Sequence, residues 1–254
     1  MWIAPSVRAA EDNPPGQTTS SDGGEDSSAK DPQLIRFPIV LAHNLTVNLF
    51  TQQSVVPFLI GTAGSLAIAP ADQEISRSVG NHAREFGNAG EVLGGAIPEA
   101  VAGGALLAGR LIKDDHFRSF AFTIAEAYVT NDILTRSIKA SVYRMRPDRS
   151  DSNSFPSGHA SDSFAMATVV NNYYGKKWGI PLYTFAALVG MSRIEKEKHW
   201  PSDVISGATL GYLSGRAAII GTERELSRRR KIASFVITPS YGRDWRGISI
   251  YLSY

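Results

Sequence analysis

"SFPSGHASDSFAMA", residues 154–167, decides how the middle of this chain is read. Pro156, Ser157 and Gly158 are turn chemistry, and apolar residues recur at helical spacing behind them. The stretch therefore predicts a turn running into a helix over 158–175. The first turn of a helix leaves backbone N–H groups without partners and carries positive potential, which makes it a seat for an anion. Gly158 lets such an anion approach the backbone closely. Taken alone, Ser157 fits an N-cap equally well, and His159 an ordinary first-turn residue.

Two further segments give this turn its meaning. "KASVYRMRP" (139–147) closes a long helix predicted over 115–144. Lys139 and Arg146 stand seven residues apart, two helical turns, and so share a face. Pro147 stops the helix and biases Arg146 toward an extended backbone. "SRIEKEKHWPSD" (192–203) carries Arg193, His199 and Asp203. Pro201-Ser202 reads as a helix start with Ser202 as N-cap candidate. Asp203 is then either a plain first-turn acid or the carboxylate that holds the His199 ring in one tautomer, with Nε2 left as a nucleophile. Glu195, Lys196, Glu197 and Lys198 read as a solvated loop. Together the segments supply three cations, one helix N-terminus, two imidazoles and one orienting acid. Phosphoryl transfer through a phosphohistidine requires that inventory: fixed positive charge on the equatorial oxygens, an unprotonated attacking imidazole, and a protonated one for the leaving oxygen.

Written as patterns, the segments are K-x6-R-P, P-S-G-H and S-R-x5-H-x3-D, complete and in order over residues 139–203. In this the chain resembles the type 2 phosphatidic acid phosphatase superfamily, which includes bacterial non-specific acid phosphatases and vanadium-dependent haloperoxidases. The likeness in helical character extends over roughly 90–220. The resemblance implies an all-α fold, a multi-helix bundle of the acid phosphatase/vanadium haloperoxidase type. It implies His199 as nucleophile, Asp203 as its orienting partner and His159 as general acid. Lys139, Arg146 and Arg193 would be the phosphate-binding cations, with Ser157 and the Gly158 N–H as further oxyanion donors. The expected activity is hydrolysis of phosphate monoesters, lipid phosphates included, with no cofactor or metal and with vanadate as inhibitor. The main alternative is a vanadate-dependent haloperoxidase holding vanadate at His199. A non-catalytic binding protein on the same scaffold is a third reading.

The rest of the chain sets the frame. It has 254 residues, no cysteine, five histidines and a formal net charge of +2. The absence of Cys rules out disulfides and thiolate metal sites, and a near-neutral balance gives no reason to expect a nucleic-acid partner. His43, His82 and His116 show no ligand spacing, and Asp114-Asp115 reads as a helix start. Residues 1–33, rich in Pro, Gly, Ser and acids, read as a disordered tail, 34–232 as the helical phosphatase domain, and 233–254 as a short C-terminal β-hairpin. Further helices are predicted over 43–52, 54–69, 72–87, 91–112, 179–194 and 202–221. The apolar runs 55–71 and 92–112 are broken by prolines or charges, which favours buried helices of a soluble or membrane-peripheral domain. "ERELSRRRK" (223–231) is a basic cluster, read as a solvated helix face or as a contact for an anionic membrane surface. The family implies a periplasmic or otherwise extracytoplasmic setting, membrane-associated if the substrate is a lipid.

Overall fold

The computed structural model describes residues 32–80, 96–112, 114–233, 235–241 and 246–252. The tail expected over 1–33 lies outside these up to residue 31. Helix α1 (Pro32–His43) passes through a π turn (Asn44–Asn48), and α2 (Gln52–Ile68) runs through a short 3-10 turn into α3 (Asp72–Gly80). Then come α4 (Ala96–Leu111), α5 (Asp115–Val142), α6 (Gly158–Tyr174), α7 (Lys176–Glu195) and α8 (Pro201–Ala233). Strands β1 (Phe235–Tyr241) and β2 (Arg246–Leu252) pair antiparallel, Phe235 opposite Leu252.

Local chemistry explains the boundaries. The Asp114 carboxylate caps α5 by accepting from the His116 and Phe117 N–H groups at 3.3 and 3.1 Å. The helix closes on Tyr143 in the left-handed region (φ 51°), whose N–H donates to the Lys139 carbonyl. At the start of the chain, the helix expected over 43–52 is displaced. Pro32 opens a helix that ends at His43, and the buried Asn44 and Asn48 occupy a π turn in which the Asn48 amide donates to Asn44 Oδ1 at 2.8 Å.

Helix α6 is the centre of the bundle and packs against α5, α7 and α8. The core consists of Phe120, Ala121, Ile124 and Ala127 of α5, Met166 and Val169 of α6, and Ala218 and Ile219 of α8. Small residues bring backbones together where the site is built. A Cβ at Gly207 would fall on the carbonyl oxygen of Ser157, so glycine there is what lets the first turns of α8 lie against the start of α6.

The expectation of a buried helix over 55–71 is overturned. The inward residues of α2 are Ser54, Gly61 and Ser65, whereas Val56, Leu59, Ile60 and Leu66 are 57–70% exposed. This is the reverse of a soluble helix, small and polar within and apolar without. The sequence could not show it because neither face carries a charge. From Gln52 to Val79 the helical run is long and apolar enough to cross a membrane by length and composition. Leu107 and Leu111 of α4 and Ile180 and Met191 of α7 are also exposed.

Candidate active site

Four helix ends converge. Lys139 sits in the last turn of α5, Ser157 and Gly158 open α6, Arg193 is in the last turn of α7, and Asp203 is in the first turn of α8. Backbone bonds fasten them together: the Ser157 N–H donates to the Asp203 carbonyl at 3.0 Å, and the Lys198 and His199 N–H groups donate to the Arg193 carbonyl at 3.0 and 3.2 Å. The last pair folds the 196–200 loop back over the end of α7, with Glu197 in the left-handed region (φ 55°). That fold sets His199 beside Arg193.

His199 is buried, 3% exposed. Its Nδ1 lies 2.5 Å from the Ser154 carbonyl oxygen. A carbonyl can only accept, so Nδ1 carries the proton and Nε2 of the neutral ring has its lone pair free. Burial and the nearby Lys139, Arg146 and Arg193 hold the His199 pKa well below its ordinary value, against the Ser154 carbonyl, which raises it. The ring is therefore unprotonated at neutral pH.

Asp203 stands differently from the sequence expectation. Its Oδ2 is 4.0 Å from His199 Nδ1 and accepts instead from Ser154 Oγ and, at 2.9 Å, from the Trp200 N–H. The acid thus grips the residue that grips the histidine. The bond to Trp200 also makes Trp200 the N-cap of α8, with Pro201 in the first helical position and Asp203 reaching back as in a capping box. Ser202 is consequently not the cap. Its hydroxyl donates to Asp72 Oδ2 at 2.5 Å and accepts from Arg144 at 2.7 Å. Burial raises the Asp203 pKa, opposed by Ser154, Trp200 and Arg144.

The cations surround this pair. Lys139 Nζ donates to the Asn153 carbonyl at 2.5 Å, and burial, Arg146 and Arg193 lower its pKa to about 8. Arg146 is held by Asp151 through its Nε at 2.7 Å and through a backbone bond at 3.0 Å. Arg193 is 4% exposed. The Ser157 side chain makes no capping bond, and its fully buried Oγ has no hydrogen-bond partner among the described residues. A Cβ at position 158 would meet only Thr135 Cγ2, at 3.8 Å, so protein packing leaves that face of the helix start open. His159 is half-buried in the same turn. All eight residues singled out in the sequence thus lie on the four converging helix ends and their loops. The solvated loop expected over 195–198 is only partly so: Glu195 is 9% exposed and Lys198 pairs with Asp148 at 2.6 Å. Among the described residues, no group of three or more acidic or histidine side chains is placed to hold a metal.

Three participants escaped the sequence: Ser154, Arg144 and Asp72. Ser154 lies inside the quoted turn but reads there as a loop serine. Arg144 occupies an unspecified position of K-x6-R-P. Asp72 is 130 residues from Ser202, and no spacing could have joined them.

Residues 117–226, which contain every one of these helix ends, match the family model described as PAP2 superfamily. That segment is similar to the PAP2 superfamily. Among curated proteins, the lipid A 1-phosphatase of Porphyromonas gingivalis is 44% identical over 80 residues. The match covers 30% of this chain and 18% of that relative. Among solved structures, the transmembrane PAP2-type phosphatidylglycerolphosphate phosphatase from Bacillus subtilis aligns with a TM-score of 0.53 and 20% identity, over 70% of this chain and 98% of that one. LpxE of Aquifex aeolicus aligns with a TM-score of 0.49 and 23% identity, over 60% and 94%. The Bacillus structure shares the helical PAP2 fold with this chain.

Proposed function

We propose that this chain is a membrane-associated phosphatase that hydrolyses lipid phosphate monoesters through a phosphohistidine on His199. The observation that carries the reading is the state of His199: buried, neutral, its Nδ1 committed to Ser154, its Nε2 free, and ringed by Lys139, Arg146 and Arg193. Nε2 attacks phosphorus in line, and the bond from phosphorus to the ester oxygen breaks. His159 delivers a proton to the departing alcohol, then takes one from the water that attacks the phosphohistidine. Inorganic phosphate leaves and His199 returns to neutral. The three cations, Ser157 Oγ and the Gly158 N–H hold the phosphoryl oxygens as they flatten toward the transition state. No step uses a metal, and vanadate inhibits by occupying the same seat.

Two features favour a lipid over a soluble ester. The relative named as a lipid A 1-phosphatase shares 44% identity over its matched segment. A groove of about 490 Å³ also runs between α2, α5 and α8, lined by Phe58, Leu66, Leu134, Ile138 and Leu210, and reaches Phe155 and Pro156 beside the phosphate seat. A phosphate at Ser157 places its apolar substituent there, and the exposed apolar side of α2 opens that groove toward a bilayer. The test is phosphate release from phosphatidate and from lipid A in mixed micelles containing EDTA, against p-nitrophenyl phosphate. The reading requires EDTA-resistant release from a lipid, lost in His199→Ala. Turnover of the aryl ester alone restores the soluble-ester reading, and peroxide-dependent halide oxidation with vanadate restores the haloperoxidase.

A further inference from the structure

We propose that Asp72 and Arg144 are positioning residues for the pair formed by His199 and Asp203, linked to it in one chain of charged hydrogen bonds whose carboxylates are buried. The inference rests on the phosphohistidine reading above and extends it to two residues outside the three motifs.

Arg144 Nη1 donates to Asp203 Oδ1 at 2.6 Å, and its Nη2 donates to Asp72 Oδ2 at 2.7 Å. Asp72 is 3% exposed and its Oδ1 accepts from the Ser202 N–H at 2.9 Å. Asp203 is fully buried. Its two oxygens are therefore both fixed, Oδ1 by Arg144 and Oδ2 by Ser154 and Trp200. A carboxylate held on both sides cannot rotate away from the Ser154 hydroxyl, and the Ser154 carbonyl is what sets the tautomer of His199.

Charge explains why two acids share one guanidinium. Arg144 alone would neutralise Asp203. Asp72 takes half of that guanidinium, so Asp203 keeps a net negative field toward His199. When Nε2 bonds to phosphorus the imidazole becomes cationic, and that field stabilises it. The carboxylates are buried while the Arg144 side chain is 30% exposed, and desolvating two acids for one partly exposed cation is a poor source of stability, so a positional role accounts for the triad better than a structural one. Asp72 opens α3, which follows the exposed apolar helix after one 3-10 turn and ties it through Arg144 to Asp203.

The other charged groups around the pair are Lys139 of α5, Arg146 and Asp151 of the loop, His159 of α6, and Arg193 and Glu195 of α7. All stay unchanged in Asp72→Asn and Arg144→Gln, so the two variants isolate opposite changes of one charge. Removing Arg144 makes both His199 and Asp203 easier to protonate, and removing Asp72 makes both harder.

The experiment uses the full chain in detergent micelles. It measures kcat and KM for phosphatidate against pH, the vanadate inhibition constant, and the titration of His199 by 15N NMR of histidine-labelled protein. Both variants should lose kcat by about 10- to 100-fold, as misplacement of a reacting group does, with KM within about threefold of wild type and vanadate inhibition weakened, since vanadate occupies the same seat on His199. The acid limb of kcat should move up by about one pH unit in Arg144→Gln and down by about half a unit in Asp72→Asn, with Arg144→Lys restoring its position. Unchanged kcat, shifts in the same direction, or losses that follow thermal stability alone with no shift would overturn the proposal. If the wild type hydrolyses no phosphate ester, the proposed activity fails and the His199 titration decides alone: opposite shifts sustain the network, and their absence refutes it.

Discussion

Ser154 holds His199 and Asp203 at once: its carbonyl accepts from the Nδ1 of the histidine at 2.5 Å, and its hydroxyl donates to the aspartate, which is itself 4.0 Å from that nitrogen. On the proposed mechanism, Asp203 orients His199 at one remove. Ser154→Ala keeps the carbonyl and removes only the hydroxyl, which leaves the buried Asp203 Oδ2 with the Trp200 N–H alone. The variant should keep KM within about threefold, bind vanadate more weakly and lose roughly 10-fold or more in kcat, the scale of a disturbed reacting geometry. Steady-state kinetics on an aryl phosphate, with vanadate as competitor, check it.

The pH profile should be a bell with both limbs assignable. His199 has a depressed pKa, so it stays neutral and active to below its ordinary value, and the acid limb lies below about 6.5. Lys139 has a pKa lowered to about 8, so its charge is present below that value and lost above it. On the proposed mechanism, the phosphate clamp should weaken as pH rises past that point. In Lys139→Arg the cation persists at all these pH values, and the alkaline limb of kcat/KM should move up by at least about one unit. A limb that stays in place would assign it to His159.

At the start of α6, Gly158→Ala tests the anion seat. The added methyl meets Thr135 at an ordinary 3.8 Å, and Ala suits a helix better than Gly. Thermal stability should be equal or higher. Activity should fall by about 10-fold or more, because the methyl enters the space where phosphoryl oxygens approach the N–H groups. Loss of both together would mean that the glycine serves packing.

Filling the apolar groove should separate substrates. Leu134→Trp places an indole ring in the groove between α2, α5 and α8, at a position that is not among the residues proposed to bind phosphate. Phosphatidate turnover should drop by about 10-fold or more while p-nitrophenyl phosphate turnover stays within about twofold, since only the lipid spends binding energy there. Equal losses on both substrates would remove the groove from the account.

The outer face of α2 makes a prediction about the bilayer. Val56, Leu59 and Ile60 are exposed and lie off the groove. Changing all three to Ser should weaken association with phospholipid vesicles by about 10-fold or more, given ~25 cal/mol for each Å² of apolar surface withdrawn from water. Aryl phosphate turnover should hold. Flotation of vesicles with bound protein gives the answer.

What the sequence disclosed and withheld follows from the range of its signals. The three motifs lie within 65 residues of one another and at helix ends that turn chemistry marks: Pro147, Pro156 and Gly158, Pro201. Short-range rules therefore singled out the cations and the histidines and placed the starts of α6 and α8 to within a residue. The tethers Asp72, Arg144 and Ser202 are joined across 58–130 residues, where only the fold decides. Ser202 looked like a cap because it follows Pro201, yet Asp203 already serves the N-terminus by reaching back to Trp200. Helix α2 misled for another reason. A helix without charges gives no amphipathic signature, so nothing in the sequence marks Ser54, Gly61 and Ser65 as its inner face, where Gly61 meets Thr209 and Ser65 donates to the Ser202 carbonyl.

The central claim is tested most directly by trapping the phosphoenzyme. An aryl phosphate with a good leaving group needs no general acid in the first step, whereas hydrolysis of the intermediate still needs His159 as base. In His159→Ala, rapid acid-free denaturation followed by mass spectrometry should find one phosphoryl group on His199, stable to alkali and labile to acid. Absence of a phosphoenzyme in a turnover-competent wild type and in His159→Ala, or a phosphoryl group on any other residue, would contradict the account.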